Sequence, residues 1–211
     1  NNANQLRSFI CDLNELHSLE AGDRKQMVAY LPVSELADAL AAIFIEQAEE
    51  SKIKFQIKIK NGLYWVSDSY YLCRLMGNLL SDAFIHVKEQ GVVSIELMIK
   101  EGNLQIIVSY TGELPVTDMM AINNSFNYTK AIDILKENGF ADASTFDSRL
   151  FAINYGIVRE LKGTMDVVNE EERVVFTVSL PEYMPEVPLD EIEEGSEVLP
   201  TLPLPKKYTL C

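Results

Sequence analysis

The chain has 211 residues, 47% of them hydrophobic and 24% charged, and 18 basic against 32 acidic side chains leave a net charge of −14. That is the composition of a globular protein able to bury a core, one domain of ordinary size with an appendage. The acidic balance excludes a general nucleic-acid footprint and an anionic membrane surface as partner. Three cysteines, Cys11, Cys73 and Cys211, are too few for a disulfide framework, which fits a reducing compartment. No apolar run reaches the about 18 residues of a membrane span, no signal peptide opens the sequence, and the first residues read as the interior of a longer chain.

Leu6, Phe9, Ile10, Leu13, Leu16 and Leu19 recur at three- and four-residue steps, which predicts a helix over 2–19 stopped at Gly22. Its narrow stripe predicts pairing with a helix outside this sequence or with a second copy, self-association through residues 4–20; packing on its own domain is the other course open to it. Residues 24–32 read as an irregular or short extended connection. Ser34 reads as the N-cap of a helix to about Glu50 that buries Leu36, Leu40, Ile43, Phe44 and Ala48. Lys54–Lys60 alternates as a half-buried strand does. Asn61-Gly62 is a two-residue hairpin signal, with Leu63–Val66 as the return strand.

Asp68 can cap a long helix over about 69–89 whose core face is Leu72, Leu75, Met76, Leu79, Leu80 and Ala83, with Gly91 as its stop. Two strands, 92–100 and 104–110, follow around the turn Glu101-Gly102-Asn103. The stretch 111–147 is less regular, with one short helix expected over 128–138 and ended by Gly139. A helix over 148–161 and a strand pair, 164–168 and 174–180, complete the domain. Beyond Pro181 the sequence carries seven carboxylates and no basic residue between Glu182 and Glu197, and prolines at 185, 188, 200, 203 and 205. This reads as a stiff, extended, solvated linker or tail without a core of its own. The fold class expected is α+β, a two-layer α/β sandwich: a mixed sheet with three main helices on one face, preceded by one further helix.

Asp68-Ser-Tyr-Tyr-Leu-Cys-Arg-Leu-Met-Gly-Asn78-Leu-Leu-Ser-Asp82-Ala-Phe-Ile-His86-Val resembles the N-box helix of sensor histidine kinases, whose pattern is a capping Asp followed by Asn-Leu-Leu-x-Asn-Ala-x-x-His/Tyr. The resemblance extends over about 4–181, and the layout is similar to hybrid two-component sensors of bacteria. It implies three regions: 1–22, the second helix of a dimerisation domain; 23–181, a histidine-kinase-like ATPase domain; and 182–211, a linker whose Lys206-Lys207-Tyr208-Thr209-Leu210-Cys211 resembles the approach to a receiver domain. It also implies a cytoplasmic location, within a membrane-bound sensor, and a response regulator or receiver domain as partner.

The same resemblance exposes the departures. Asn78 is kept at the first N-box position, and Asp82 stands where the family has a magnesium-holding Asn. A carboxylate can bind Mg²⁺ but places negative charge beside a triphosphate. Where the family has the Asp of Asp-x-Gly-x-Gly, which accepts from the adenine amino group, this chain has Tyr110; Gly112 is retained and the second glycine is lost. A tyrosine cannot copy that acceptor and could fill the adenine pocket instead. The glycine-rich box that opens a helix under the phosphates is replaced by Asp147-Ser148-Arg149-Leu150-Phe151; Arg149 could in principle meet a phosphate, but the expectation is that it is exposed. The lid, about 116–147, offers no basic clamp.

No phosphoacceptor histidine is expected: His17 reads as a surface or interface residue, and His86 falls at a structural position of the N-box. Losing two or three hydrogen bonds worth about 1.5–3 kcal/mol each removes useful nucleotide affinity. The expectation is a regulatory, structural pseudo-kinase module with no cofactor and a vestigial cleft of Asn78, Asp82, Tyr110, Gly112 and Arg149. The alternatives are an active domain holding Mg-ATP with Asp82 on the metal, and a phosphotransfer protein with a vestigial ATPase domain.

Overall fold

The computed structural model describes residues 14–22, 27–59, 62–114, 122–123, 130–131, 133–134 and 148–182. In chain order the elements are α1 (14–21), β1 (Val28–Pro32), α2 (Val33–Glu50), β2 (Lys54–Ile59), β3 (Tyr64–Asp68), α3 (Ser69–His86), β4 (Val92–Lys100), β5 (Asn103–Thr111), α4 (Ser148–Glu160), β6 (Thr164–Glu170) and β7 (Arg173–Pro181). Strand side chains point alternately to opposite faces. Val93, Ile95 and Leu97 of β4, and Leu104, Ile106, Val108 and Tyr110 of β5, therefore share one face, and all are buried in one core with the apolar stripes of α2, α3 and α4. Ser94, Glu96, Gln105 and Ser109 alternate onto the other face. There Ser94 and Ser109 share a 2.7 Å hydroxyl hydrogen bond, and the Arg173 guanidinium donates to both.

The main sheet has the order β2-β4-β5-β7-β6. β2 runs parallel to β4, from Lys54 opposite Val92 to Ile59 opposite Leu97, and the remaining pairings are antiparallel. A separate antiparallel pair, β1 and β3, aligns Val28 with Asp68 and Pro32 with Tyr64. This is the expected two-layer α+β architecture with a mixed sheet.

The expected hairpin between β2 and β3 does not form. The turn is there, with Gly62 at φ +72°, but it hands the chain from one sheet to the other. A hairpin signal reports the turn and not the partner: β2 finds a better-buried mate in β4, and β3 pairs with β1, which lies in the segment read as an irregular or short extended connection. Ser34 does not cap α2. The N-cap position is Pro32, with no side-chain cap, because β1 runs straight into the helix and the Val33 and Ser34 amides donate to the Leu63 carbonyl at 2.8 and 3.4 Å. Helix α3 ends at His86, earlier than expected, with Val87 already extended. Gly91 is buried, and a Cβ there would lie 2.7 Å from the Lys88 carbonyl oxygen, so it serves close approach of the chain and does not stop the helix. Of the helix expected over 128–138, only residues 130, 131, 133 and 134 are described; the tail 183–211 lies outside the described residues.

The described part of α1 lies on its own domain. Leu16 and Leu19 are buried. The Arg74 guanidinium of α3 grips Glu15 through both carboxylate oxygens, at 2.8 and 3.3 Å. Glu20 accepts from the Ala131 amide at 2.7 Å, and Leu19 packs so closely on α4 that a Cβ at Gly156 would meet its Cδ1 at 3.0 Å. His17 is exposed.

Cys73 is buried in the core face of α3, and burial, then the neighbouring charge of Asp68, pushes its thiol up from 9.0 to about 12. Between those two values the unfolded thiol ionises while the folded one stays neutral, so its contribution to stability is complete below pH 9 and falls as pH rises toward 12.

Asp68 is the joint of the domain. Its carboxylate, 1% exposed, accepts from the Tyr71 amide at 3.0 Å, capping α3, and from the Met27 amide at 2.7 Å, fixing the entry to β1. Asp68→Ala is expected to cost about 2 kcal/mol or more, since it removes a cap and strands buried donors. The readout is the urea midpoint followed by fluorescence of Trp65, the one tryptophan of the chain; an unchanged midpoint would contradict this role.

Candidate functional site

Residues four apart on a helix share a face, and α3 accordingly points Asn78, Asp82 and His86 along one line. Asn78 is buried, and its amide nitrogen donates to Asn154 Oδ1 of α4 at 2.8 Å. Asn154 is itself 4% exposed. The first N-box position therefore spends a donor on a neighbouring helix.

Asp82 is partly exposed. With Leu79, Leu150, Phe151, Asn154, Met165 and Phe176 it borders a cavity of about 20 Å³, room for about one water molecule. Its Oδ1 lies 3.2 Å from His86 Nδ1, an ion pair when the ring is protonated, and the same nitrogen lies 3.0 Å from the Asp82 carbonyl oxygen. Among the described residues Asp82 is the sole carboxylate bordering this cavity, and no three His, Cys, Asp or Glu side chains come together as metal ligands.

Tyr110 ends the inward row of β5. Its ring is 1% exposed and stacks on the His86 ring, with centroids 6.3 Å apart and planes 29° apart. The ring also lies against Gly112: a Cβ there would meet Tyr110 Cε2 and Cδ2 at 3.1 and 3.2 Å and the His86 carbonyl oxygen at 3.5 Å. Gly112 thus lies in tight contact beneath the ring, where a Cβ would require the ring to give by a few tenths of an ångström, and its amide donates to the Glu172 carbonyl at 2.8 Å. Burial first, and then the charge of Asp82, pushes the Tyr110 hydroxyl well above the usual phenol range. The phenol stays neutral at all physiological pH.

Four of the five residues picked out by sequence thus fall into one neighbourhood: Asp82, Tyr110 and Gly112 gather around His86, and Asn78 lies one turn up α3. Arg149 is in the first turn of α4, and its side chain lies outside the described residues. Asn154 was missed. Its signal was a polar residue inside the apolar stripe Leu150, Phe151, Ile157 and Val158. Glu15, Arg74 and Glu20 were missed because nothing local marks which long-range partner a surface charge takes.

The Asn78–Asn154 bond generates a prediction. Asn78→Ala and Asn154→Ala should each destabilise the domain by about 1–3 kcal/mol, because each leaves a buried amide without its partner. The double variant should cost clearly less than the sum. Additive urea midpoints would show the two amides to be uncoupled.

No family model matches this sequence, and no curated protein does. Solved structures do. The histidine kinase AdeS of Acinetobacter baumannii superposes with a TM-score of 0.65 at 15% identity, over 84% of this chain and 78% of that one. Full-length ShkA, solved with AMPPNP, gives 0.68 at 19% identity, over 89% of this chain and 38% of that one. The histidine kinase ThkA, solved in complex with the response regulator protein TrrA, gives 0.61 at 19% identity, over 86% and 49%. At these identities the likeness carries the fold and leaves each side chain of the cleft to be argued from its own geometry. The N-box helix, the mixed sheet and the two-stranded pair of this chain together form the fold of histidine-kinase catalytic domains.

Proposed function

We propose that this chain is a histidine-kinase-fold module of two-component signal transduction that works without nucleotide, transmitting conformational state between its N-terminal helix and a partner. One observation carries the reading: the Tyr110 ring, stacked on His86 and seated on Gly112, takes up the space at the end of β5 where the resemblance puts the adenine. Beside it, Asp82 borders a cavity of about 20 Å³, where small-molecule sites enclose about 300–1,000 Å³.

The polar groups support the same reading. Asn78 donates to Asn154 and is not free to orient water or phosphate. Among the described residues Asp82 stands without a second carboxylate at the cavity, so its charge would oppose a triphosphate with no ligand set among them to hold a screening cation. The residues present do not fit Mg-ATP, and no phosphoryl-transfer step is derived for them.

Transmission has a physical basis in α1. The helix is tied to α3 by Glu15–Arg74, to α4 by Leu19 on Gly156, and to the segment between β5 and α4 by Glu20 on the Ala131 amide. A shift of α1 along its axis must load all three. The partner proposed is a response regulator or receiver domain, the class of protein with which ThkA was solved, and the location is cytoplasmic. Among the described residues no helix is long and apolar enough to cross a membrane.

Calorimetry with Mg-ATP at millimolar concentration is expected to show no binding heat for the chain as it is, nor for Tyr110→Asp, because Asn78, Asp82 and the lost glycines remain. Heat from the unaltered chain, weakened by Asp82→Ala, would make this a working nucleotide site and overturn the reading. A second expectation concerns α1. Glu15→Ala should weaken the packing of the helix by about 1 kcal/mol, in keeping with a partly buried bidentate pair, and raise amide exchange in α1 before exchange in α3. Equal protection in both helices would remove the proposed coupling.

A further inference from the structure

The β1–β3 pair carries an exposed aromatic ridge that the cleft does not use. Its register puts Tyr30 opposite Val66 and Pro32 opposite Tyr64, so all four share one face. The Tyr30 and Tyr64 rings stack at 5.0 Å with planes 10° apart, yet they are 52% and 42% exposed. Leu31 and Trp65, on the opposite face, are buried. Stacked, rigid, solvent-facing tyrosines beside a proline form the kind of surface on which polyproline II segments dock, since such a segment is already extended and loses little entropy on binding.

The chain contains such a segment. Leu199-Pro200-Thr201-Leu202-Pro203-Leu204-Pro205 holds a Pro-x-x-Pro core and is followed by Lys206-Lys207. We propose that residues 199–205 dock on the Tyr30–Tyr64 ridge of the same chain. With three residues per turn and a 3.1 Å rise, Pro200 and Pro203 fall on one edge about 9 Å apart, enough to straddle the tyrosine pair.

The topology gives the reach. β7 runs in the same direction as β2, and Ile59, Leu97, Ile106 and Val178 stand in one row across the sheet. Pro181 therefore leaves the sheet at the end where the chain passes from β2 to Tyr64, three strand spacings away, about 14 Å. Residues 182–198 number seventeen and can span about 53 Å at about 3.1 Å per extended residue.

Charge favours the same path. β2 is an edge strand whose Lys54 and Lys58 are exposed, opposite in sign to the seven carboxylates between Glu182 and Glu197. At the Pro32 end of the ridge, Glu35 and Asp38 of α2 are exposed, opposite in sign to Lys206 and Lys207. A second copy is the weaker occupant, because two chains of net charge −14 repel. The proposal is independent of the nucleotide reading and survives its failure.

The test is a spin label on Cys211 of the whole chain carrying Cys11→Ser, with Cys73 left in place because its buried thiol does not react. The amide signals of Tyr30 and Tyr64 are expected to lose most of their intensity, with Ile85 at the far end of α3 much less affected. Pro200→Ala with Pro203→Ala, which leaves the folded domain untouched, should restore them. Uniform or absent broadening overturns the proposal, and so does broadening that persists in the proline variant. Broadening that appears only when labelled and isotope-enriched chains are mixed assigns the ridge to a second copy and also overturns it.

Discussion

A tyrosine at the end of an inward-facing row must bury its ring, and that constraint organises the cleft. Leu104, Ile106 and Val108 point to the helices because β5 alternates, so Tyr110 points there too. With Val93 opposite it on β4 and Val174 on β7, the ring has one direction in which to extend, toward the last turn of α3. There it meets His86 and lies over Gly112. A residue larger than glycine beneath it would press on the ring, which would have to give by a few tenths of an ångström, and His86 supplies a flat face above. His86, 24 positions earlier in the chain, and Gly112, two positions later, thus settle around one side chain by packing alone.

Helix α3 carries this arrangement to the rest of the domain. Its N-terminus is locked by the Asp68 carboxylate to β1, its middle by Asn78 to α4 and by Arg74 to α1, and its C-terminus by His86 to Tyr110. In the proposed reading the polar positions that a nucleotide would engage are engaged by the protein itself, so the helix is a rigid strut and not one wall of an open site. A strut fixed at both ends and in the middle is suited to passing a displacement from α1 to whatever docks on the domain. It is also costly to disturb at any one of those points, because each is buried or half-buried and each has a specific partner.

Much of the fold was legible because α3, β4 and β5 are locally consistent. The Asp68 cap, the apolar stripe and the two alternating runs all point to the same elements. The errors lie where local signals underdetermine partners. Asn61-Gly62 announces a turn, and β2 nonetheless pairs in parallel with β4, thirty-odd residues on. Ser34 has the chemistry of a cap, and a backbone carbonyl at Leu63 takes that role. At the site, Asn78, Asp82, Tyr110 and Gly112 were legible from one motif and its damaged neighbour. Asn154 was legible only as a polar interruption of a stripe, and the ion pair of Glu15 with Arg74 was not legible at all, since two charges 59 positions apart carry no mark of each other in the sequence.

The central claim is that the Tyr110 ring stands where a nucleotide base would have to lie. A crystal structure of the chain grown with millimolar Mg-AMPPNP tests it most directly. The account predicts Tyr110 stacked on His86 over Gly112, with no nucleotide between α3 and β5. An adenine ring in that space, with Tyr110 swung out, would contradict it.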